Sequence, residues 1–280
     1  MTGALLSFSA SALAIRGLAV KFNIFEILSV RAGFGCVVLL AIVATRPGIW
    51  RELAPRRMGL HVMRNSVHFV GQYTWALAVT LLPLATVFAL EFTMPMWVAL
   101  LAVPLLGERM TTSRVGSIVL GFLGVVVIVR PGLASFQPAA LLVLLAAFAF
   151  ALSLIATKKL THDIGTFAII FWMNAMQLPM SLAGSDLLFV LRLDSNTLIP
   201  ALGLGIAGLM SHYCLTNAFR AGDASLVVPI DFVRIPLIAL IGWIFYGEAL
   251  DAYVFAGAGL IVCGVLWNLH AESRRAPRPG

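Results

Sequence analysis

Residues 73–108, YTWALAVTLLPLATVFALEFTMPMWVALLAVPLLGE, recur as residues 213–248, YCLTNAFRAGDASLVVPIDFVRIPLIALIGWIFYGE, without a gap and at a constant offset of 140 residues. Tyr73 falls on Tyr213, Phe92 on Phe232 and Gly107-Glu108 on Gly247-Glu248, while an acid, Glu91 or Asp231, holds the corresponding place in each. Shared apolar composition alone produces loose matches between such stretches. The register of tyrosine, acid and Gly-Glu is what carries this alignment. The chain therefore reads as two related halves, an organisation found in transporters built from internal repeats.

Composition sets the class around that repeat. Hydrophobic residues make up 61% of the chain and charged ones 11%, and the mean hydropathy is +1.00. These values exclude an ordinary soluble domain and point to an all-α integral membrane protein. Punctuation by Pro, Gly and charge delimits ten spans of roughly 20 residues, the length a bilayer core requires. They fall near 3–22, 26–45, 59–80, 84–106, 115–131, 138–157, 165–184, 199–219, 223–246 and 251–270. Alternate loops hold twelve Lys and Arg on one side and three on the other, which predicts that both termini are cytoplasmic. Five spans per half is an odd number, so the second copy crosses in the opposite sense. The expected organisation is two inverted five-helix repeats, residues 1–137 and 138–270, followed by a basic cytoplasmic tail, 271–280. Loop charge of this kind explains the net charge of +7 without a nucleic-acid partner. The opening MTGALLSFSASALA lacks the cationic start of a signal peptide and is read as the first span. Cys36, Cys214 and Cys263 lie in apolar segments without metal-ligand spacing, so they read as buried packing residues rather than a disulfide or metal site.

Ionisable groups inside a bilayer cost about 2.5–3.5 kcal/mol each and need a partner or a cavity. Glu91, about a third of the way along the fourth span, reads as a group for a cation, an amine or a proton, or as the structural partner of Arg31 or Arg64. Asp231 and Arg234 in the ninth span are spaced to neutralise one another. Pro95 and Pro236 fall one position apart under the repeat, and each removes a backbone hydrogen bond, so both read as hinges. The third span carries His61, Arg64, His68, Gln72 and Trp75 at spacings of three and four residues, a single polar face that cannot look at lipid. The eighth adds His212, Tyr213, Thr216, Asn217 and Arg220, and the seventh Trp172, Asn174 and Gln177. Tyr73, Trp75, Trp97, Trp172, Tyr213 and Trp243 are candidates for pocket walls or for interfacial anchors. Glu91, His68 and Asp231 are the groups able to take up a proton.

One motif is a decoy. GLGIAG at 203–208 matches a dinucleotide fingerprint, but it sits in an apolar span after Pro200 rather than between a strand and a helix. Its glycines, like Gly116, Gly121, Gly124, Gly257 and Gly264, are expected to let helices approach closely. The sequence has no phosphate-binding loop for ATP. Nor does it contain G-x-G-D, H-E-x-x-H or G-x-S-x-G, which leaves an intramembrane enzyme built on Glu91 and Asp231 as the remote alternative.

The stretch from Leu81 to Gly132, and again that from Ala221 to Gly264, resembles the ten-helix EamA-type members of the drug/metabolite transporter superfamily. The first span departs from that pattern, with Ser7, Ser9 and Ser11 where a tryptophan is common. The resemblance implies a multi-pass carrier of the bacterial inner membrane, often an exporter, for amino acids or other small organic metabolites. The expected function is export of amino acids or related compounds by alternating access. The alternative is an importer or facilitator of a vitamin-like or nucleotide-derived metabolite. No enzyme activity, cofactor or metal is expected. A monomer is expected, with membrane lipid around it and a proton or exchange substrate as driving partner.

Overall fold

The computed structural model describes residues 2–107, 110–131, 137–221 and 234–274, and every regular element among them is helical. These are α1 (Thr2–Ala19), α2 (Ile24–Thr45), α3 (Met58–Leu81), α4 (Leu84–Glu91), α5 (Met94–Leu106), α6 (Thr112–Val129), α7 (Ala140–Leu160), α8 (Thr166–Leu182), α9 (Ser195–Ala221), α10 (Arg234–Tyr246) and α11 (Ala252–Ser273). Short 3₁₀ turns at Pro47–Leu53 and Phe189–Arg192 join α2 to α3 and α8 to α9. Five stretches are long and apolar enough to cross a bilayer: α2, α4 with α5, α6, α7 and α11. Apart from the fourth and ninth spans, the helices lie within about four residues of the expected boundaries.

Local chemistry sets the helix ends. Asn23 caps α2 through its side chain, and Glu26 returns a bond to the Asn23 N–H, a reciprocal capping box. Asp251 accepts from Tyr253 N at the start of α11. Helices α5 and α10 run into Gly107 and Gly247, both in the left-handed region (φ +70° and +63°), where a side chain is disfavoured. These glycines occupy equivalent places in the two copies of the repeat.

The fourth span is interrupted between Glu91 and Met94, where Phe92 and Thr93 keep near-helical dihedrals. Proline at 95 would clash with the Glu91 carbonyl if the helix continued through it. The chain instead stops after Glu91 and restarts at Met94, with Pro95 in the first turn of α5, where its missing N–H is harmless. Thr93 N and Thr93 Oγ1 both donate to Leu90 O, at 3.0 and 2.7 Å, and Met96 N and Trp97 N donate to Thr93 O. Pro236 is the third residue of α10; Asp231 and the rest of the expected ninth span before Arg234 lie outside the described residues.

The short α4 is the centre of the core. Leu84, Val87, Phe88, Ala89 and Leu90 have no accessible surface, and α4 packs on α7, α10 and α11. Around it the main pairings are α1 with α9, α3 with α7, α2 with α8, and α6 with α11. Helices α6 and α11 meet backbone to backbone. A Cβ on Gly124 would lie 2.6 Å from Gly257 O, one on Gly257 2.5 Å from Gly124 O, and one on Gly264 3.0 Å from Ser117 O. The 203–208 glycines also serve packing: Gly205 holds the Phe34 ring and Gly208 the Arg31 side chain. The three cysteines are free; Cys36 and Cys214 are partly buried, whereas Cys263 is exposed on the outer face of α11 and is not the buried residue expected of it. Much of the outward surface is apolar, Val37, Leu141, Ile199, Ile206 and Phe245 included.

Candidate functional site

All five members of the α3 stripe are buried, so the face that could not meet lipid looks inward. At 1.5 Å per residue, the stripe runs about 16 Å from Arg64 to Trp75. It meets different partners at three levels.

Near the C-terminal end of α3, Trp75 Nε1 donates to Glu91 Oε2 (2.7 Å), and Arg234 Nη2 donates to Glu91 Oε1 (3.2 Å). Glu91 is the last residue of α4 and Arg234 the first of α10. The Arg234 guanidinium is 3% exposed and lies over the rings of Phe8 (4.8 Å), Phe88 and Phe92 (5.0 Å each). A charge enclosed in this way is tolerable because a carboxylate and three π faces replace its water. Among the described residues, Glu91 is ion-paired with Arg234.

At the middle level, Gln72 and His68 face α8. Gln177 Nε2 donates to His68 Nδ1 (2.8 Å), and the His68 ring packs on Phe150 at 5.5 Å. Asn174 Nδ2 donates to Ile170 O, while its amide oxygen rests against Gly35 of α2. Arg31 of α2, Gln72 of α3, Asn174 and Gln177 of α8, and Gly208 of α9 line one narrow cavity with Leu28, Phe69 and Met173. The cavity has roughly the room of a single water molecule.

At the N-terminal level, Arg64 Nε donates to Thr157 Oγ1 (3.1 Å) and Nη1 to Asn65 Oδ1 (2.6 Å). Asn65 in turn reaches the Trp172 carbonyl, and His61 lies 6.5 Å from the Trp172 ring.

Other expected residues lie elsewhere. Trp97 packs edge-on between Phe122 and Phe148, in a separate aromatic cluster of α5, α6 and α7. Tyr213 is 63% exposed and Trp243 55%, so neither walls the cavity. Asp231, and the side chains of His212, Thr216, Asn217 and Arg220, lie outside the described residues. Three contributors escaped the sequence reading. Arg31 was weighed there only as a partner for Glu91, although a lone charge in an apolar span was the available signal. Phe8 and Phe88 carried no signal, because nothing marks a phenylalanine that shields a charge.

A helical bundle with an apolar exterior, a buried polar seam and a broken helix at its centre defines a polytopic membrane transport protein. The chain belongs to the EamA-like transporter family, whose description matches residues 1–130 and again 137–269. It is a multi-pass protein of the bacterial inner membrane. It is 31% identical over 220 residues to the riboflavin transporter of Rhizobium johnstonii, covering 78% of this chain and 72% of that one. It is 26% identical over 274 residues to the S-adenosylmethionine uptake transporter of Rickettsia felis, covering 98% and 92%. A solved crystal structure at 19% identity superposes with a TM-score of 0.63 over 99% of this chain and 96% of that one, a likeness of fold alone.

Proposed function

We propose that the chain is a secondary transporter that carries a vitamin-like or nucleotide-derived metabolite across the inner membrane by alternating access. Two inverted five-helix halves, residues 1–137 and 138–270, supply ten spans with both termini cytoplasmic. The family description matches each half separately, which favours the repeat. So does the packing. An offset of 140 turns the Gly124–Gly257 contact into Gly264–Ser117, and both contacts occur. The pairings of α2 with α8 and of α6 with α11 each map onto themselves when the halves exchange, and that of α1 with α9 maps onto that of α7 with α3.

The observation that carries the functional reading is the central cavity. It lies where α2 and α3 of one half meet α8 and α9 of the other, the place where repeat-built carriers hold their substrates. One guanidinium and three amides stand in otherwise apolar walls, the mix expected of a site for a small organic molecule. Both relatives named above carry a molecule of the vitamin-like or nucleotide-derived class. Amino-acid export, expected from the resemblance, has no such support. The Trp75–Glu91–Arg234 cluster lies toward one end of the α3 stripe and the Arg64–Asn65–Thr157 cluster toward the other.

Counterflow into proteoliposomes tests this. Vesicles preloaded with riboflavin, S-adenosylmethionine, uridine or one of a panel of amino acids are given the matching labelled compound. Saturable exchange of a vitamin or nucleotide-derived compound is expected. Exchange confined to amino acids sinks the reading, and flux without saturation makes the protein a pore.

A further inference from the structure

Arg64 is 5% exposed, and His61, one turn before it on the same face of α3, is 1% exposed. The Arg64 guanidinium is held by two neutral oxygens, Thr157 Oγ1 and Asn65 Oδ1, and among the described residues no carboxylate is paired with it. Both ring nitrogens of His61 are buried and, among the described residues, without a hydrogen-bond partner. Other arginines set deep in the bundle are treated differently: Arg16 meets Glu248, Arg130 meets Asp251 and Arg234 meets Glu91. A buried cation held by neutral groups beside an imidazole that bonds to nothing is costly, since neither recovers what it gave up in leaving water. An anion relieves both, because the guanidinium gains a counter-charge and the imidazole N–H an acceptor.

The surroundings favour an anion arriving from this end. The α2–α3 connection and the α7–α8 corner are tied by Arg57 Nη1, which donates to Lys159 O at 3.2 Å. They carry exposed Arg46, Arg51, Arg56, Arg57, Lys158 and Lys159 against Glu52 and Asp163. A mouth of this sign concentrates anions. Loop charge accompanies membrane topology, but topology does not call for the buried Arg64.

We propose that His61 and Arg64 form an oxyanion site, which takes a carboxylate or phosphate group of the transported molecule when the bundle opens at this end. The inference rests on the transporter reading above and names a feature of its substrate. Arg64 pairs with the oxyanion, and His61 donates a ring N–H to it. The way in lies between α3 and α8, joined here by Asn65 Nδ2 and the Trp172 carbonyl at 3.4 Å, a long bond between neutral groups. Gln72 of the central cavity lies about 12 Å further along α3. A ring in the cavity and an acid at the site can therefore belong to one extended molecule. The opposite end of the stripe does not serve an anion in this way, because Arg234 already faces Glu91.

The test is counterflow with two matched pairs, riboflavin 5′-phosphate against riboflavin and S-adenosylmethionine against its decarboxylated form. Wild-type protein is expected to exchange the acid-bearing member of at least one pair about tenfold better than its partner. Arg64→Gln is expected to bring that ratio to about one, His61→Phe to lower it, and Arg64→Lys to keep most of it. A melting temperature for each variant in detergent separates loss of recognition from loss of fold. Where Arg64→Gln does not fold, His61→Phe decides on the same criterion. Equal exchange within both pairs by wild type, or preference for the acid-free members, overturns the inference and leaves the transporter reading standing. An unchanged ratio in folded Arg64→Gln also overturns it and makes Arg64 a structural tie between α3 and α7. Exchange of none of these compounds by folded protein overturns both.

Discussion

The two ends of the bundle are tied together differently. At the end holding the α10–α11 turn, the two halves are joined by Arg16–Glu248, Glu26–Arg192, Arg130–Asp251 and Lys21–Asp194. At the other end, the described ties between halves are Arg57–Asp163 and Arg114–Glu272. Depth matters more than number. Arg16 and Glu248 are 13% and 14% exposed, whereas Arg57 and Asp163 are 50% and 40% exposed. Arg16 also donates to the carbonyls of Val79 and Leu82 and stacks on Tyr246 at 4.8 Å, while the second oxygen of Glu248 accepts the Leu84 N–H at 2.8 Å. One turn of the second half thus holds the α3–α4 corner of the first, with its polar groups satisfied. Under the repeat Arg16 corresponds to Ala156, so the opposite corner has no arginine at the equivalent position.

The comparison ranks the expected effects of breaking each tie. Glu248→Ala strips Arg16 of its counter-charge and Leu84 N of its acceptor, and it is expected to cost about 2–4 kcal/mol. Glu248→Gln should cost about half as much. Thermal unfolding in detergent reads both, and an unchanged melting temperature for Glu248→Ala would remove the contrast between the ends. Glu26→Ala loses the capping box and the bond to Arg192, for about 1–2 kcal/mol in the same assay. Arg57→Ala, at the more lightly tied end, breaks an exposed pair and is expected to lower the melting temperature far less than Glu248→Ala; an equal loss would show the ends to be equivalent.

The smallest effect is a dependence on pH. Hydrogen bonds from Lys21 and Thr197 hold the Asp194 carboxyl well below the usual carboxylate range, and the His162 hydrogen bond lowers Asp163, assisted by Arg57. A carboxyl with a lowered pKa in the fold contributes stability above its ordinary value of 3.8, and that contribution fades as the pH falls below it. The difference in melting temperature between wild type and Asp194→Asn should therefore stay level from about pH 7 to about pH 5 and shrink toward about pH 3. A difference that widens on acidification contradicts this assignment.

The sequence disclosed what a single helix decides for itself. The α3 stripe was legible because polar residues at spacings of three and four in an apolar run specify a face. The Gly107 and Gly247 stops were legible because their positions repeat. Pro95 marked a disturbance in the fourth span, but a kink and a break share one local signal. The structure shows where the hydrogen bonds go instead: Thr93 N turns to Leu90 O, and the short α4 buries Leu84, Val87 and Phe88. Partner choice was hidden for the same reason. The pairing of Glu91 with Arg234 spans 143 residues and that of Gln177 with His68 spans 109. Such contacts depend on which helices are neighbours, and hydropathy does not encode that.

The crossing of α6 and α11 has an evolutionary consequence. Gly124 faces Gly257, and Gly264 faces Ser117, so each small residue needs another small residue from the other copy. Neither helix can enlarge these positions alone. A bulkier residue accepted in one copy wedges the seam apart unless the other copy yields space. The two halves have drifted in most of their chemistry, yet along this line each remains the other's selective environment.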